Sequence, residues 1–477
     1  MYKRFLVLLF SFILLFVYWI YIKHVTNYFF LFDDYALLHL AQKNDFLELG
    51  KSQIGFYRPL TFVLFKFQFS IFNWTNPEHY ALVSLFFHTM NALLVSLLCN
   101  RILGKNVFIA FTAFNIFLLS PWSSETYFWF SSQFDIFATF FLLISMLLAQ
   151  KSINPTEGFN LKTVYFIVIS AISSLGAMFC KESAISIPFL FVSISLVRFS
   201  PKEILNSKVF FITFFLLVGS AITYMIIRST MLDAFGGAYG SFFSMLAEAN
   251  PIKAVRAYLG PPLNFTSATI TKIGAIFYFA VLSGLILCAL RYKFRQSIML
   301  LLSLIIAIAP VSIFRTHANA VPGGRFLYLP GIFLALLLCI GLNRLLFKVK
   351  EENHFFSVFR YSLGLFWVYL LISVNFQNNW WMMATSISRN CIEQFSQYID
   401  KGKFFYISNL PSRFKDGPYL LKSYAFPYYY QNEDMNIRSH AEILTFENGK
   451  IETIDGEIDT FAPFEASDKR ITVTFNY

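Results

Sequence analysis

Residues 5–35 read FLVLLFSFILLFVYWIYIKHVTNYFFLFDDY, an apolar run from Phe5 to Ile22 followed shortly by two adjacent carboxylates, Asp33 and Asp34. About eighteen apolar residues suffice to cross the hydrocarbon core of a bilayer. Met1-Tyr2-Lys3-Arg4 precedes the run and no small-x-small cleavage site follows it, so it reads as an uncleaved first transmembrane helix. Ionised groups at a membrane boundary cost free energy to desolvate, and two like charges side by side cost more. Phe32-Asp33-Asp34-Tyr35 is therefore a candidate site, with a solvated acidic loop as the plainer alternative.

The rest of the chain repeats the first signal. Of 477 residues, 57% are hydrophobic, only 14% are charged and 61 are Phe; the mean hydropathy is +0.57. Soluble domains carry roughly a quarter charged residues, so the sequence predicts a polytopic, all-α membrane protein. About eleven spans are expected, near 5–22, 79–99, 107–120, 134–150, 163–180, 184–197, 209–227, 273–290, 297–313, 326–347 and 361–376.

The net charge of +11 would suggest nucleic acid in a soluble protein. Here the cations fall in short loops between apolar runs, where they set topology, and no nucleic-acid partner is implied. With the N-terminus inside, every inside loop is basic: Arg101 and Lys105; Lys151 and Lys162; Arg198, Lys202 and Lys208; Arg291, Lys293 and Arg295; Arg344, Lys348, Lys350 and Arg360. Asp33 and Asp34, the loops near 120–133, 181–183, 228–272 and 314–325, and the C-terminus then share the outer face. Cys99, Cys180, Cys288, Cys339 and Cys391 show no ligand spacing and imply neither a disulfide framework nor a thiolate metal site.

The stretch 24–78 is long for a loop. Its apolar piece Leu60–Phe69 predicts one or two interfacial helices with Lys66 snorkelling. Gly236-Gly237 and Pro261-Pro262 break the loop at 228–272 into short pieces. From Gln377 both signs of charge appear, with alternating stretches at Phe404–Ile407 and Ile471–Phe475. The chain thus divides into a transmembrane module over 1–376 and an extracytoplasmic domain over 377–477, β-rich from about 395.

Further charges lie at outer boundaries. Glu125 follows Ser120-Pro121-Trp122-Ser123-Ser124, and Asp135 opens the next helix; Glu125 is either reactive or a helix-dipole partner. Lys181-Glu182 is either part of a site or a solvated turn. Arg325, in Gly323-Gly324-Arg325-Phe326, sits at a helix start, where a cation opposes the dipole, which favours an anionic partner such as phosphate. His88 and Asn91 lie inside the second span, where a packed interhelical role is the plainer reading. No HExxH, Walker loop or Gly-x-Ser-x-Gly occurs. A carboxylate base with outward cations suits transfer from a lipid-phosphate donor that reaches the site from the bilayer.

Six segments, in order, resemble the membrane module of the GT-C superfamily of glycosyltransferases, and within it the O-mannosyltransferase-like group that in animals carries tetratricopeptide repeats, with its prokaryotic relatives. They are Phe32–Tyr35; Tyr57-Arg58-Pro59-Leu60-Thr61; Asn76-Pro77 through Tyr80 to His88 and Asn91–Leu94; Pro121 through Glu125 and Trp129 to Asp135; Lys181–Ala184; and Arg325–Pro330. The resemblance covers roughly 1–375. Ala81, Ser84, Ser120, Gln133 and Gly324 depart from residues common there, and the repeats are absent.

The resemblance implies Asp33 as general base or acceptor-positioning carboxylate, with Asp34 beside it and Glu125 as the second acidic group. It implies Arg325 and Lys181 as holders of a polyprenyl phosphate, and Arg58, Asp135, Glu182 and His88 as support. A divalent metal is left open. The acceptor would be protein, lipid or glycan, and membrane lipids surround the chain. The expected setting is a multi-pass protein of a bacterial inner membrane with a periplasmic site, or of the endoplasmic reticulum with a lumenal one. A transporter or flippase for a lipid-linked sugar, or a non-catalytic relative, are the alternatives; a transporter would be expected to show paired repeats and broken midplane helices.

Overall fold

Most of the apolar runs become helices. In the computed structural model, residues 21–51, 55–104, 106–153, 159–232, 268–312, 324–347, 354–414, 418–447, 450–460 and 471–476 are described. Most of the expected first span, the breaks at 236–237 and 261–262, and Gly323 lie outside them.

The helices that matter here are α1 (Asp33–Lys43), α2 (Pro59–Phe72), α3 (Pro77–Leu103), α4 (Val107–Leu118), α5 (Ser124–Phe128), α6 (Gln133–Ser152) and α7 (Leu161–Cys180). They continue as α8 (Ile187–Arg198), α9 (Lys208–Met231), α10 (Ala268–Tyr292), α11 (Phe294–Ile308), α12 (Tyr328–Phe347), α13 (His354–Phe395) and α14 (Ala425–Tyr429). Among the described residues seven helices are long and apolar enough to cross a membrane: α3, α6, α7, α9, α10, α11 and α12. The expected spans at 107–120 and 184–197 form helices of 12 residues each. Twelve residues rise about 18 Å, short of a core about 30 Å thick.

Burial sorts the spans. In α12 and α6, 89% and 78% of the membrane window is covered by protein, against 33% in α9 and 28% in α10. The first two form the centre, and the others turn Phe215, Ile222, Ile226 and Ile276 outward, where lipid replaces protein. Apolar side chains gain nothing from leaving lipid, so small residues and hydroxyl pairs do the joining. Ser145 meets Ser170 at 3.2 Å between α6 and α7, and Ser193 meets Ser303 at 2.7 Å between α8 and α11. Gly341 of α12 lies so close to α10 that a Cβ there would clash with the Leu285 carbonyl oxygen.

The expected interfacial helices are α1 and α2. Lys66 Nζ donates to the Gln42 carbonyl at 3.1 Å, tying the second to the end of the first. At the other end of the chain, α13 is a single helix of 42 residues. It passes through position 376/377 without a break, so the boundary drawn from composition falls inside it. Beyond it a four-stranded sheet has the order β3-β2-β1-β4. β1 (Phe404–Phe414) runs parallel to β2 (Asn436–Glu447) and β4 (Ile471–Val473), and β3 (Lys450–Thr460) runs antiparallel to β2. Phe405 and Ile407 alternate inward, and Phe405 packs on Phe395 at the end of α13.

α14, in the crossover between β1 and β2, places this unit against α1. His39 stacks on Tyr428 at 4.2 Å, Tyr429 packs on Tyr35 and Trp74, and Lys43 pairs with Glu433 at 2.8 Å.

Candidate active site

The two carboxylates open α1, where negative charge complements the helix dipole. The residue before them, Phe32, has φ 42°, a left-handed conformation that a bulky side chain rarely adopts. Such strain persists only where the surroundings impose it. Here they come from the C-terminal unit: Phe32 N–H donates to the Leu420 carbonyl at 2.8 Å, and its ring stacks on Tyr419 at 4.6 Å.

One helical step separates Asp33 from Asp34, and it sends them to different surroundings. Asp34 is buried. Its Oδ2 accepts from Tyr28 O–H and from Leu31 N–H at 2.9 Å, and its Oδ1 accepts from Ser131 N–H at 2.9 Å. It therefore clamps the start of α1 to the short helical turn Phe130–Ser132. Burial pushes its carboxyl up to about 7, against the lowering effect of these three bonds. Asp33 instead lines a cavity of about 480 Å³, where its Oδ1 accepts from Tyr424 O–H at 3.1 Å. Burial raises its carboxyl above the usual range, opposed by Arg325, the Tyr424 hydroxyl and Lys422.

Facing Asp33, the cavity carries Arg58, Lys181, Arg325 and Lys422, with Asp135 as the other lining carboxylate and Phe56, Phe62, Phe134 and Phe326 among its walls. Three of these cations have acidic neighbours. Lys181 Nζ donates to both oxygens of Asp135, at 2.6 and 2.7 Å, and both side chains are buried. Arg58 grips Glu182 in a fork, Nε to Oε2 at 2.9 Å and Nη2 to Oε1 at 2.6 Å. It thus braces Glu182 rather than the acidic pair on α1. Burial raises Glu182, but Arg58 and Lys181 outweigh it and hold the carboxyl at about 2.

Arg325 lies in the 3₁₀ turn Gly324–Leu327 that leads into α12. Its backbone N–H donates to Glu125 Oε2 at 3.0 Å, while its Nε stands 3.6 Å from Glu125 Oε1, too far for a hydrogen bond. The guanidinium lies over the Trp129 ring at 4.5 Å and makes no side-chain hydrogen bond among the described residues. Glu125 is almost wholly buried on α5 and does not line the cavity; its place is behind Arg325. A Cβ at Gly324 would meet the Trp122 carbonyl oxygen at 2.7 Å, so no larger residue fits there.

His88 lies away from the cavity, bonded to Tyr328 O–H through Nδ1 at 2.8 Å and to the Leu118 carbonyl through Nε2 at 3.2 Å. It is the packed interhelical residue of the plainer reading. Ser84 and Gln133, two of the departures from the resemblance, bond each other at 2.9 Å and reach Gln68.

Lys422 and Tyr424, which no motif in the sequence marks, also line the cavity. Lys422 stands 4.5 Å over the Phe32 ring and has no ion-pair partner within 4 Å among the described residues. Among the described residues no three metal-binding side chains come together. The lining does not fit a divalent cation either: Asp135 is neutralised by Lys181, and cations outnumber carboxylates.

No family model matches the sequence, and no curated protein matches it. Among solved structures, the chain is similar to ArnT from Cupriavidus metallidurans in the apo state, with TM-score 0.48 and 11% identity over 92% of this chain and 86% of that one. It is similar to ArnT from the same organism bound to undecaprenyl phosphate, with TM-score 0.49, 11% identity and 90% and 85% coverage. It is also similar to the archaeal oligosaccharyltransferase AglB from Archaeoglobus fulgidus, in complex with an inhibitory peptide and a dolichol-phosphate. That match has TM-score 0.40 and 12% identity, over 80% of this chain and 61% of that one. At these scores no residue role passes from them to this chain.

Proposed function

We propose that the protein is an integral-membrane glycosyltransferase that takes a sugar from a polyprenyl-phosphate-linked donor and passes it to an acceptor on the outer face of the membrane. The observation that carries this reading is that Asp33 shares one cavity at the boundary of the spans with Arg325 and Lys422, beside the paired Lys181–Asp135 and Arg58–Glu182. A base and a cluster of cations are what transfer away from a phosphate requires.

In this reading Asp33 takes the proton of an acceptor hydroxyl as its oxygen bonds to the anomeric carbon of the sugar. The bond from that carbon to the phosphate oxygen breaks, and its electron pair stays on the phosphate. Arg325, with a planar fork free of side-chain hydrogen bonds among the described residues, holds that phosphate with Lys422. Lys181 contributes charge from behind Asp135, and the Arg58–Glu182 pair fixes the wall. Asp34 and Glu125 position Asp33 and Arg325. A hexosyl or pentosyl donor, and a protein, lipid or glycan acceptor, complete the proposal, set in a bacterial inner membrane with a periplasmic site.

The test is transfer of labelled sugar from polyprenyl-phosphate donor in proteoliposomes. Asp33→Asn keeps size and hydrogen bonding but removes basicity, and its rate should fall on the order of 10²–10⁴-fold. Transfer at the wild-type rate by this variant would remove Asp33 from the chemistry.

A further inference from the structure

A second polar cavity lies at the opposite end of α6 from Asp135. Lys151 is sixteen residues along this helix, about 24 Å by its rise, and so at the other membrane face. Three helix C-termini meet here, bringing Arg101 of α3, Lys151 of α6 and Arg198 of α8. With Asn100 they line a cavity of about 300 Å³ whose other walls are Leu97, Leu147 and Gly104.

Among the described residues, none that lines it is acidic. Arg101 Nη2 and Arg198 Nη1 donate to the same Gln150 carbonyl oxygen, at 3.1 and 2.8 Å, which holds two like charges side by side. A cation at a helix C-terminus complements the dipole. That accounts for one cation per helix end, not for three that share one cavity. Gly104 adopts φ 108°, and a Cβ there would meet none of the described residues within 4 Å.

We propose that Arg101, Lys151 and Arg198 bind a phosphate group on the membrane face opposite Asp33. Two guanidiniums and an ammonium around one opening match the several oxygens of a phosphate. Leu97 and Leu147 give the cavity an apolar wall against which the first carbons of an acyl chain would lie, so an anionic phospholipid headgroup uses the whole lining. Inorganic phosphate would use the cations alone.

The test is the thermal midpoint of the full chain in neutral detergent, titrated separately with phosphatidylglycerol, phosphatidylcholine and inorganic phosphate. Lys151→Gln is the informative variant. Its side chain is exposed and, among the described residues, makes only a distant contact with the Phe166 ring, at 5.8 Å, so folding should survive. Phosphatidylglycerol should raise the wild-type midpoint, and Lys151→Gln should need about fivefold more lipid for the same rise. Arg198→Gln should weaken the response further. A rise with inorganic phosphate that is equally sensitive to Lys151 would support the site and identify free phosphate as the occupant. An identical response of wild type and both variants, or an equal response to phosphatidylcholine, would overturn the proposal.

Discussion

Tyr424 donates its hydroxyl to Asp33 Oδ1 at 3.1 Å, across 391 residues of sequence. The proposed base is therefore oriented by the C-terminal unit, not by the membrane helices alone. Burial is the largest influence on the Asp33 carboxyl and raises it; the Tyr424 bond, with Arg325 and Lys422, works the other way. Tyr424→Phe removes a bond to the ionised form, so the carboxyl should titrate higher still. The base acts only when ionised, so the acidic limb of the kcat/KM profile should move to higher pH, with folding retained. Lys422→Gln should move it the same way. An unmoved limb in both variants would detach Asp33 from the titration that governs the rate.

Asp34 calls for a different measurement, because it is buried and is not among the described residues that line the Asp33 cavity. Its carboxyl titrates near 7 when folded, raised mainly by burial, against about 3.9 in an unfolded chain. Between these values the folded state binds more protons, so this contribution to stability falls as pH rises from about 4 to 7 and is level above 7. Asp34→Asn sets an amide N–H against the donor of Leu31 or Ser131 and should cost about 1–3 kcal/mol at pH 5. It removes the titration, so its deficit should shrink at pH 8. A deficit equal at both pH values would show that Asp34 does not titrate in this window.

Arg325 separates anchoring from donor binding. Arg325→Ala should raise the donor KM about tenfold or more, the loss of a charge-assisted contact to phosphate. Arg325→Lys should recover only part, because the planar fork is gone. Glu125 keeps the backbone N–H of residue 325 in either variant. A fall in thermal midpoint with an unchanged donor KM would make the guanidinium a partner of Glu125 and Trp129 only.

The membrane helices were legible because hydropathy is additive along a chain; Asp33, Arg325 and Lys181 stand out in the sequence as charges at span ends, and the fold brings them to one cavity. The extent of α13 was not. Gln377, Asn378 and Asn379 read as the close of a span, yet Asn378 accepts from Tyr127 O–H at 2.5 Å and Asn379 bonds His24 at 3.0 Å. Polar residues that find partners in neighbouring segments continue a helix that composition would end. The division of labour between Asp33 and Asp34 was equally hidden, since it depends on where Ser131 N–H and Tyr424 O–H arrive. Lys422 carried no local signal: it enters the cavity only because β1 and α14 bring residues 419–424 against Phe32.

The Lys181–Asp135 pair allows the structural and functional parts of one cation to be separated. Both side chains are buried and the ammonium reaches both carboxylate oxygens. Lys181→Met leaves Asp135 buried without its counter-charge, and breaking such a pair from one side costs about 3–5 kcal/mol. Removing both charges, in Lys181→Met with Asp135→Asn, leaves neither group uncompensated, so most of that loss should return, read as the thermal midpoint in detergent. Sugar transfer should not return with it, because the cavity still lacks one of the cations that face Asp33. The cycle is decisive because the two readouts part company. If the double variant regains both midpoint and transfer, Lys181 serves only to neutralise Asp135, and the phosphate is held by Arg325 and Lys422 without it.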